Sequence, residues 1–180
     1  MSQGTRDLDP LRWAKFYASI KHAGQTYAGG LPYTHHLANV EGVLRRFGFK
    51  SIKRDDGLPF EGEDHALLTS SWLHDVCEDC GVKRKEIAEL FGERVAELVW
   101  AVTNEPGDNR KVRAALTYPK IRSVKGATTL KLADRIANVE QGGNLVGMYR
   151  KEYEDFRRAL YTPGENEAMW AHLDGLLKAD

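Results

Sequence analysis

The chain has 180 residues, of which 42% are hydrophobic and 29% charged, a composition typical of a soluble globular protein long enough for one domain. Its 26 basic and 26 acidic residues cancel, so no net positive field favours nucleic acid or a membrane surface as a partner. We expect a cytoplasmic protein, because no apolar stretch approaches the roughly 20 residues that cross a bilayer and the first residues lack a signal-peptide pattern.

The predicted elements are helices joined by short polar turns, which indicates an all-α fold. The first helix begins at Asp9-Pro10, since an N-cap acceptor followed by proline is typical of a helix start, and it ends near Gly24. A second helix is predicted from about Tyr33 to Phe47, after a turn rich in glycine. The helical pattern is lost between residues 48 and 62.

The same pattern continues to the end of the chain. A third helix opens at Glu63-Asp64 and should carry the pair His74-Asp75. Further helical segments follow from the spacing of apolar residues, and no convincing alternating strand appears. Their approximate bounds are Lys83–Phe91, Arg94–Val102, Arg110 to the region of Ile121, Thr128–Glu140, Val146–Leu160 and Glu165–Leu177. We therefore expect a single domain over residues 1–180.

The dipeptide His74-Asp75 is the most informative feature for function. It places an imidazole next to a carboxylate, and Glu78 and Asp79 follow one helical turn later. Residues four apart share a helix face, so Glu78 should lie beside His74 and Asp79 beside Asp75. The third helix thus offers two metal ligands together with two carboxylates that can accept a proton.

Two other segments complete a candidate metal site. His36 belongs to the second helix, and Asp134 lies on a later helix with Asn138 one turn further on. Asp134 stands among apolar neighbours, and a buried carboxylate needs a partner or a cation. A histidine alone is more often a core or surface residue, but these residues together with His74-Asp75 favour one divalent ion that activates water at a phosphate.

Two motifs have a structural as well as a functional interpretation. Cys77 and Cys80 form a CxxC pair, as in redox centres and zinc half-sites, but the pair ends a helix and lacks a second pair, so packing is the better interpretation. Tyr149 and Tyr153 belong to an aromatic series with helical spacing, which predicts core positions. One tyrosine of the series, Tyr153, is a candidate for contact with a substrate base.

Together these residues resemble the HD-domain metal-dependent phosphohydrolases. More narrowly, the order of the motifs is similar to the RelA/SpoT hydrolase domain and its small stand-alone relatives over about residues 10–160. The motifs are His22-Ala23-Gly24-Gln25, Pro32-Tyr33 to His36, His74-Asp75-Val76 with Glu78-Asp79, Phe91-Gly92 to Val99, and Lys131-Leu132-Ala133-Asp134-Arg135 with Asn138. The resemblance implies an all-α HD-domain helical bundle.

The resemblance also implies the roles of the site residues. In such a domain Glu78 and Asp79 position or activate the attacking water, and Asn138 contacts the nucleotide. The typical reaction removes pyrophosphate from the 3′ position of guanosine alarmones. The residues that would hold a single Mn²⁺ are His36, His74, Asp75 and Asp134.

The chain departs from the family pattern on the substrate side. Relatives carry a basic pair between the glutamine and Pro32-Tyr33, whereas residues 25–30 here contain no basic residue and offer Tyr27 as a ring that could stack on a base. The stretch from 48 to 62 reads as an insertion, which would serve as a lid or contact another subunit.

Two alternatives to alarmone hydrolysis therefore stay open. One is an HD-type nucleotidase or phosphatase for another nucleotide, such as a dNMP, an NTP or NADPH. The other is a regulatory module that binds a nucleotide without hydrolysing it, although the complete ligand set argues against this. A homodimer is compatible with a chain of this size, and neither a nucleic acid nor a membrane is expected as a partner.

Overall fold

The computed structural model describes residues 9–51 and 62–178, and the predicted all-α fold is confirmed. Most of the predicted insertion, residues 52–61, lies outside the described part. Ten α-helices are present in the described ranges, and several agree with the predicted bounds to within two residues. They are α1 Pro10–Lys21, α2 Thr34–Arg46, α3 Glu63–Leu73, α4 Val76–Asp79, α5 Arg84–Phe91, α6 Glu93–Val102, α7 Arg110–Ser123, α8 Ala127–Gln141, α9 Val146–Leu160 and α10 Glu167–Lys178.

One short ladder, absent from the predicted elements, joins α1 to α2. Strands β1 (Thr26–Tyr27) and β2 (Leu31–Pro32) pair antiparallel, with a single 3₁₀ turn between them. Gly29 and Gly30 both have positive φ, which glycine adopts without a steric penalty, so the chain can reverse within this turn. Two residue pairs are too few to give an alternating pattern in the sequence. The ladder forms a small hairpin, residues 26–32, beside the start of α2.

Helices α3 and α8 lie at the centre of the bundle. Nearly every residue of α3 from His65 to Leu73 is buried, and so is most of α8. A helix that is buried on all sides must hold its polar side chains within the core, where they need partners. These two helices therefore set where buried polar chemistry can occur. Over the described residues, no helix combines the length and the apolar character needed to span a membrane.

The predicted third helix is broken at the His74-Asp75 pair. Helix α3 ends at Leu73, and α4 is a separate turn that begins at Val76. The backbone of Asp75 has φ −101° and ψ −7°, and its carbonyl accepts from the amide of Asp79 at 2.9 Å to start the new turn. The expectation of one continuous helix from His74 to Asp79 is therefore wrong, although Asp79 still follows Asp75 by one hydrogen-bonded turn. The break places both residues of the pair at the inner end of a buried helix.

Helix α4 also carries the CxxC pair. Cys77 and Cys80 are free thiols of intermediate exposure, and both pack against the apolar core. The sulfur of Cys80 lies 3.4 Å from the carbonyl of Lys21 at the end of α1. These contacts are those of packing cysteines, in keeping with the interpretation from the sequence.

Candidate metal centre and substrate cavity

The four predicted metal ligands converge at the centre of the bundle. The Nε2 atoms of His36 and His74 lie 3.4 Å apart. Asp75 Oδ2 is 3.0 Å from Nε2 of His74 and 3.6 Å from Nε2 of His36. Asp134 Oδ1 is 3.4 Å from Nε2 of His36 and 3.7 Å from Nε2 of His74. Residues distant in the sequence thus bring two imidazoles and two carboxylates to one point.

The chemistry of this donor set fits a divalent metal ion. The Nδ1 atom of His74 donates to the backbone carbonyl of Ser71 at 2.8 Å, so it is Nε2 that faces the cluster. Burial alone would lower the pKa of His74, but the charge of Asp75 and hydrogen bonds to Asp134 and Asp75 raise it to about 10. The two carboxylates therefore favour a positive charge between them. A divalent ion with imidazole and carboxylate ligands supplies that charge.

Both carboxylate ligands are held by donors outside the cluster. The hydroxyl of Tyr33 donates to Asp75 Oδ2 at 2.6 Å. Asn138 Nδ2 donates to Asp134 Oδ1 at 2.6 Å, and Lys131 Nζ lies 2.9 Å from the other oxygen of Asp134. Contacts of this kind orient the ligands of a metal and are often as important as the ligands themselves.

Glu78 and Asp79 both reach the adjoining cavity, but their surroundings differ. The carboxylate of Glu78 accepts from the side-chain amide of Asn104 at 3.0 Å and from its backbone amide at 3.2 Å. Burial and the negative charge of Asp75 raise the pKa of Asp79 above its ordinary value. A raised pKa suits a carboxylate that accepts a proton, as a general base does.

A cavity of about 220 Å³ opens beside the cluster. It is lined by His36, Asp75 and Asp134 of the cluster, and α4, α7, α8 and α9 supply the remaining charged residues. Among the lining residues, the carboxylates are Asp75, Glu78, Asp79, Asp134 and Glu152, and the cationic side chains are Arg110, Arg113, Lys131 and Arg135. Five negative groups face four positive ones, and a divalent ion turns this deficit into an excess of one positive charge. The cavity therefore suits a phosphate when it holds a metal.

Asn138 and Tyr27, two predicted substrate residues, are bonded to each other. The hydroxyl of Tyr27 donates to Asn138 Oδ1 at 2.7 Å, and its ring centroid lies 4.8 Å from that of His36. The amide nitrogen of Asn138 donates to the side chain and the carbonyl of Asp134. In this arrangement Asn138 orients Asp134, a proposed metal ligand. Its side-chain oxygen can bond to a substrate only if Tyr27 moves away.

Tyr153, the third predicted substrate residue, is not brought to the cavity. Its ring is buried on α9, and its hydroxyl donates to Asp174 on α10. Tyr149, one turn earlier, lines the cavity instead. The guanidinium carbons of Arg135 and Arg110 lie 4.5 Å and 5.4 Å from the Tyr149 ring centroid. The aromatic spacing was visible in the sequence, but which turn of α9 faces the cavity depends on how α9 packs.

The sequence analysis gave the cationic side chains of the cavity no role, although Lys131 and Arg135 belong to one of its motifs. Lys131 lies three residues before Asp134 and Arg135 three residues before Asn138, so helical spacing could have placed them beside these residues. Arg110 and Arg113 left no such signal. They stand among other basic residues of α7, and only the packing of α7 against α8 and α9 brings them to the cavity.

The chain is similar in sequence to bacterial (p)ppGpp hydrolases. It is 31% identical over 167 residues to the guanosine-3′,5′-bis(diphosphate) 3′-pyrophosphohydrolase of Aquifex aeolicus, covering 91% of this chain and 22% of that protein. It is 27% identical over 161 residues to the bifunctional (p)ppGpp synthase/hydrolase SpoT of Escherichia coli K12, covering 85% and 21%. The chain thus spans about a fifth of the length of the curated relatives it matches. No family model matches it.

Solved structures with this fold include a metazoan ortholog of SpoT that hydrolyses ppGpp. The two folds agree with a TM-score of 0.73 and 23% identity, over 93% of each chain. A Listeria monocytogenes EGD-e protein matches with a TM-score of 0.58 and 20% identity, over 80% of this chain and 99% of that one. At these identities the likeness shows a shared fold.

Proposed function

We propose that this chain, whose sequence and fold fit an HD-type hydrolase domain close to RelA and SpoT, removes pyrophosphate from the 3′ position of guanosine 3′,5′-bis(diphosphate). The observation that carries the proposal is the convergence of His36, His74, Asp75 and Asp134 beside a cavity with four cationic side chains. We infer the substrate from the similarity to (p)ppGpp hydrolases and the chemistry from the residues of the site.

A single Mn²⁺ is proposed at the centre of the cluster, held by the four converging side chains. Mixed imidazole and carboxylate ligands suit this ion. Because only these four side chains would bind it, coordination positions would remain for water and a phosphate oxygen. When bound, the ion lowers the pKa of water and neutralises phosphoryl charge. The hydrogen bond from His74 to Ser71 and that from Asn138 to Asp134 support the proposal, because they orient the metal-binding atoms of His74 and Asp134.

Asp79 is the proposed general base. It accepts a proton from the attacking water while the water oxygen bonds to the phosphorus next to the ribose. The bond from that phosphorus to the ribose 3′ oxygen breaks, pyrophosphate leaves, and the 3′ oxygen takes up a proton. Glu78 is proposed to position the water, because its own carboxylate is held by Asn104. A positioned base of this kind typically contributes about 10²–10⁴-fold to the rate.

The cationic side chains are proposed to bind the phosphates. Lys131 stays charged in the cavity: burial would lower its pKa, but the charge of Asp134 raises it. Arg110 and Arg135 are both held by Glu152, with Nη1 of Arg135 3.4 Å from its carboxylate. Arginine presents planar donors that match phosphate oxygens, so this pair suits the second diphosphate of the substrate.

Tyr27 and Asn138 remain the proposed contacts to the nucleoside. The hairpin that carries Tyr27 has no basic residue from Thr26 to Gly30, so an aromatic ring is the group that it offers to a base. This absence also supports the second candidate, an HD-type hydrolase acting on another nucleotide. The hairpin therefore has no arginine that could recognise guanine.

The test is an assay of the purified protein with Mn²⁺ or with EDTA against guanosine alarmones, NADPH and common nucleotides. Pyrophosphate released from guanosine tetraphosphate supports the proposal, whereas orthophosphate released from simple nucleotides supports the second candidate. Metal-independent turnover would refute the mechanism. The variants Asp75→Asn and Asp134→Asn should lose activity, and Asp155→Asn is the matched control because Asp155 is exposed and bonds to Arg158.

A regulatory module without turnover is tested in the same experiment. If the parent protein binds guanosine tetraphosphate, shows no hydrolysis with Mn²⁺, and Asp75→Asn binds equally well, the domain is a binding module. The complete set of four ligands argues for hydrolysis, since binding alone does not need a hydrolytic metal centre.

A further inference from the structure

Tyr33 is the residue before α2, and its side chain reaches the metal cluster. The hydroxyl donates to Asp75 Oδ2 at 2.6 Å, and this oxygen is also the one 3.0 Å from Nε2 of His74. The contact joins residues 42 positions apart, so it depends on the fold rather than on local sequence. One hydroxyl thus bonds to the ligand atom that a metal would use.

The ring of Tyr33 is fixed by its neighbours on several sides. It stacks on His22 with centroids 4.5 Å apart and an interplanar angle of 14°. The rings of His36 and Tyr27 meet it edge to face, with centroids at 5.6 Å and 6.1 Å. His22 itself is buried and held by Gln25 at 2.7 Å. A phenol packed in this way has few other orientations, so its hydroxyl stays at Asp75.

We infer that Tyr33 is a positioning residue whose hydroxyl fixes the orientation of Asp75, so that this proposed metal ligand keeps the position in which it would hold the ion. This inference rests on the proposed function. The hydroxyl has a single proton and donates it to Asp75 Oδ2. Its loss would loosen this carboxylate without removing it.

The experiment compares Tyr33→Phe with the parent protein and with Tyr17→Phe. Tyr17 is a matched control, because its hydroxyl donates to Glu86 at 2.5 Å, its ring is buried beside Phe91, and it lies outside the cavity lining. At saturating Mn²⁺ we expect kcat of Tyr33→Phe to fall about 10- to 100-fold, the range found for groups that orient metal ligands. KM for guanosine tetraphosphate should change little, since the hydroxyl is not a substrate contact. Tyr17→Phe should keep the parent kcat.

Two results would overturn the inference: a parent-like kcat in Tyr33→Phe at saturating Mn²⁺, or an equal loss of kcat in the control Tyr17→Phe. Calorimetric titration with Mn²⁺ alone gives a readout that needs no substrate, and Tyr33→Phe should bind about 10-fold more weakly. If the parent protein hydrolyses no alarmone, the proposed function fails. The titration then still decides about Asp75, because equal Mn²⁺ affinities would refute its positioning by Tyr33.

Discussion

At the scale of the residue, neighbouring carboxylates are given different roles by their surroundings. Burial would raise the pKa of Asp75, but His74 and hydrogen bonds from both imidazoles lower it, so Asp75 stays ionised as a ligand should. Burial and the charge of Asp75 raise the pKa of Asp79, and they outweigh the partners that lower it. When their surroundings give two carboxylates different pKa values, one can stay ionised as a metal ligand while the other accepts a proton as a base.

The first prediction distinguishes Asp79 from Glu78. Asp79→Asn removes the proposed proton acceptor, so kcat should fall about 10²–10⁴-fold with guanosine tetraphosphate at saturating Mn²⁺. Glu78→Gln keeps an oxygen that can accept from Asn104, so its loss should be smaller by at least about tenfold. Steady-state kinetics of both variants is the measurement. Equal losses would show that the two carboxylates act as a unit.

The second prediction separates Tyr149 from Tyr153. Tyr149→Ala removes the ring against which Arg110 and Arg135 pack, so KM should rise about tenfold, equivalent to about 1.4 kcal/mol. Tyr153→Phe removes a hydrogen bond to Asp174 and should leave KM unchanged while lowering the free energy of unfolding by about 1 kcal/mol. Kinetics and urea unfolding of both variants test this. A raised KM in Tyr153→Phe alone would restore Tyr153 as a substrate contact.

At the scale of the element, Glu41 of α2 joins three helices. Its carboxylate is 2.7 Å from Lys15 on α1, 2.6 Å from the indole nitrogen of Trp72 on α3, and 2.7 Å from Arg45 one turn later. Burial would raise the pKa of Glu41, but hydrogen bonds from Lys15, Trp72 and Arg45 lower it. This contact fixes how α1 and α3 pack against α2, the helix that carries His36.

The third prediction concerns stability and pH. The pKa of Glu41 is lower in the folded than in the unfolded chain. Its contribution to the free energy of unfolding is therefore fully present above the ordinary pKa of 4.5 and is lost as the pH falls through the pKa of the folded state. Glu41→Gln should lower the free energy of unfolding by about 1–2 kcal/mol at pH 7, and this difference should shrink toward pH 3, as measured by urea unfolding.

The matched control for this prediction is Glu89→Gln. Glu89 is exposed and lies 3.8 Å from Lys85 alone, so its loss should change stability by less than about 0.5 kcal/mol. A difference for Glu41→Gln that stays constant between pH 7 and pH 3 would mean that the carboxylate is not what stabilises the junction.

Helix boundaries were predictable where a local signal marks them. Asp9-Pro10 starts α1 as expected, and the Asp9 side chain accepts from the amide of Leu11 at 2.9 Å. The break after Leu73 was not predictable, because no glycine or proline marks it and the turn at Asp75 is held by tertiary contacts such as the one from Tyr33. A sequence pattern describes one helix at a time, whereas this break depends on several.

The same limit applies to the site. The four proposed ligands were named from the sequence because His36, His74-Asp75 and an Asp134 among apolar neighbours fit one donor set, which the family resemblance also implies. Lys131 stands on the ligand face of α8 and was within reach of the same reasoning. Arg113 and Tyr149 were not, because their place in the cavity follows from how α7 and α9 pack against α8. The spacing of residues within a helix can be read from the local sequence, but which face of the helix lines the cavity depends on tertiary packing.

At the scale of the whole molecule, the neutral net charge conceals an uneven distribution. The chain has 26 residues of each sign, yet the cavity holds five carboxylates against four cations. Its affinity for an anion therefore depends on the metal rather than on a general positive field. The metal centre also lies where α2, the α3–α4 junction and α8 meet, so an ion there links elements that are far apart in the chain.

The last prediction follows from that position. An ion that binds only the folded chain stabilises it by mass action, about 2.7 kcal/mol at 100 times its dissociation constant. For a chain of this size that corresponds to a rise in Tm of about 5–11 °C. Calorimetric melting with Mn²⁺ and with EDTA measures it. Asp75→Asn should lose most of the rise while Asp155→Asn keeps it, since only Asp75 lies in the cluster. An equal rise in both variants would place the stabilising ion elsewhere on the molecule.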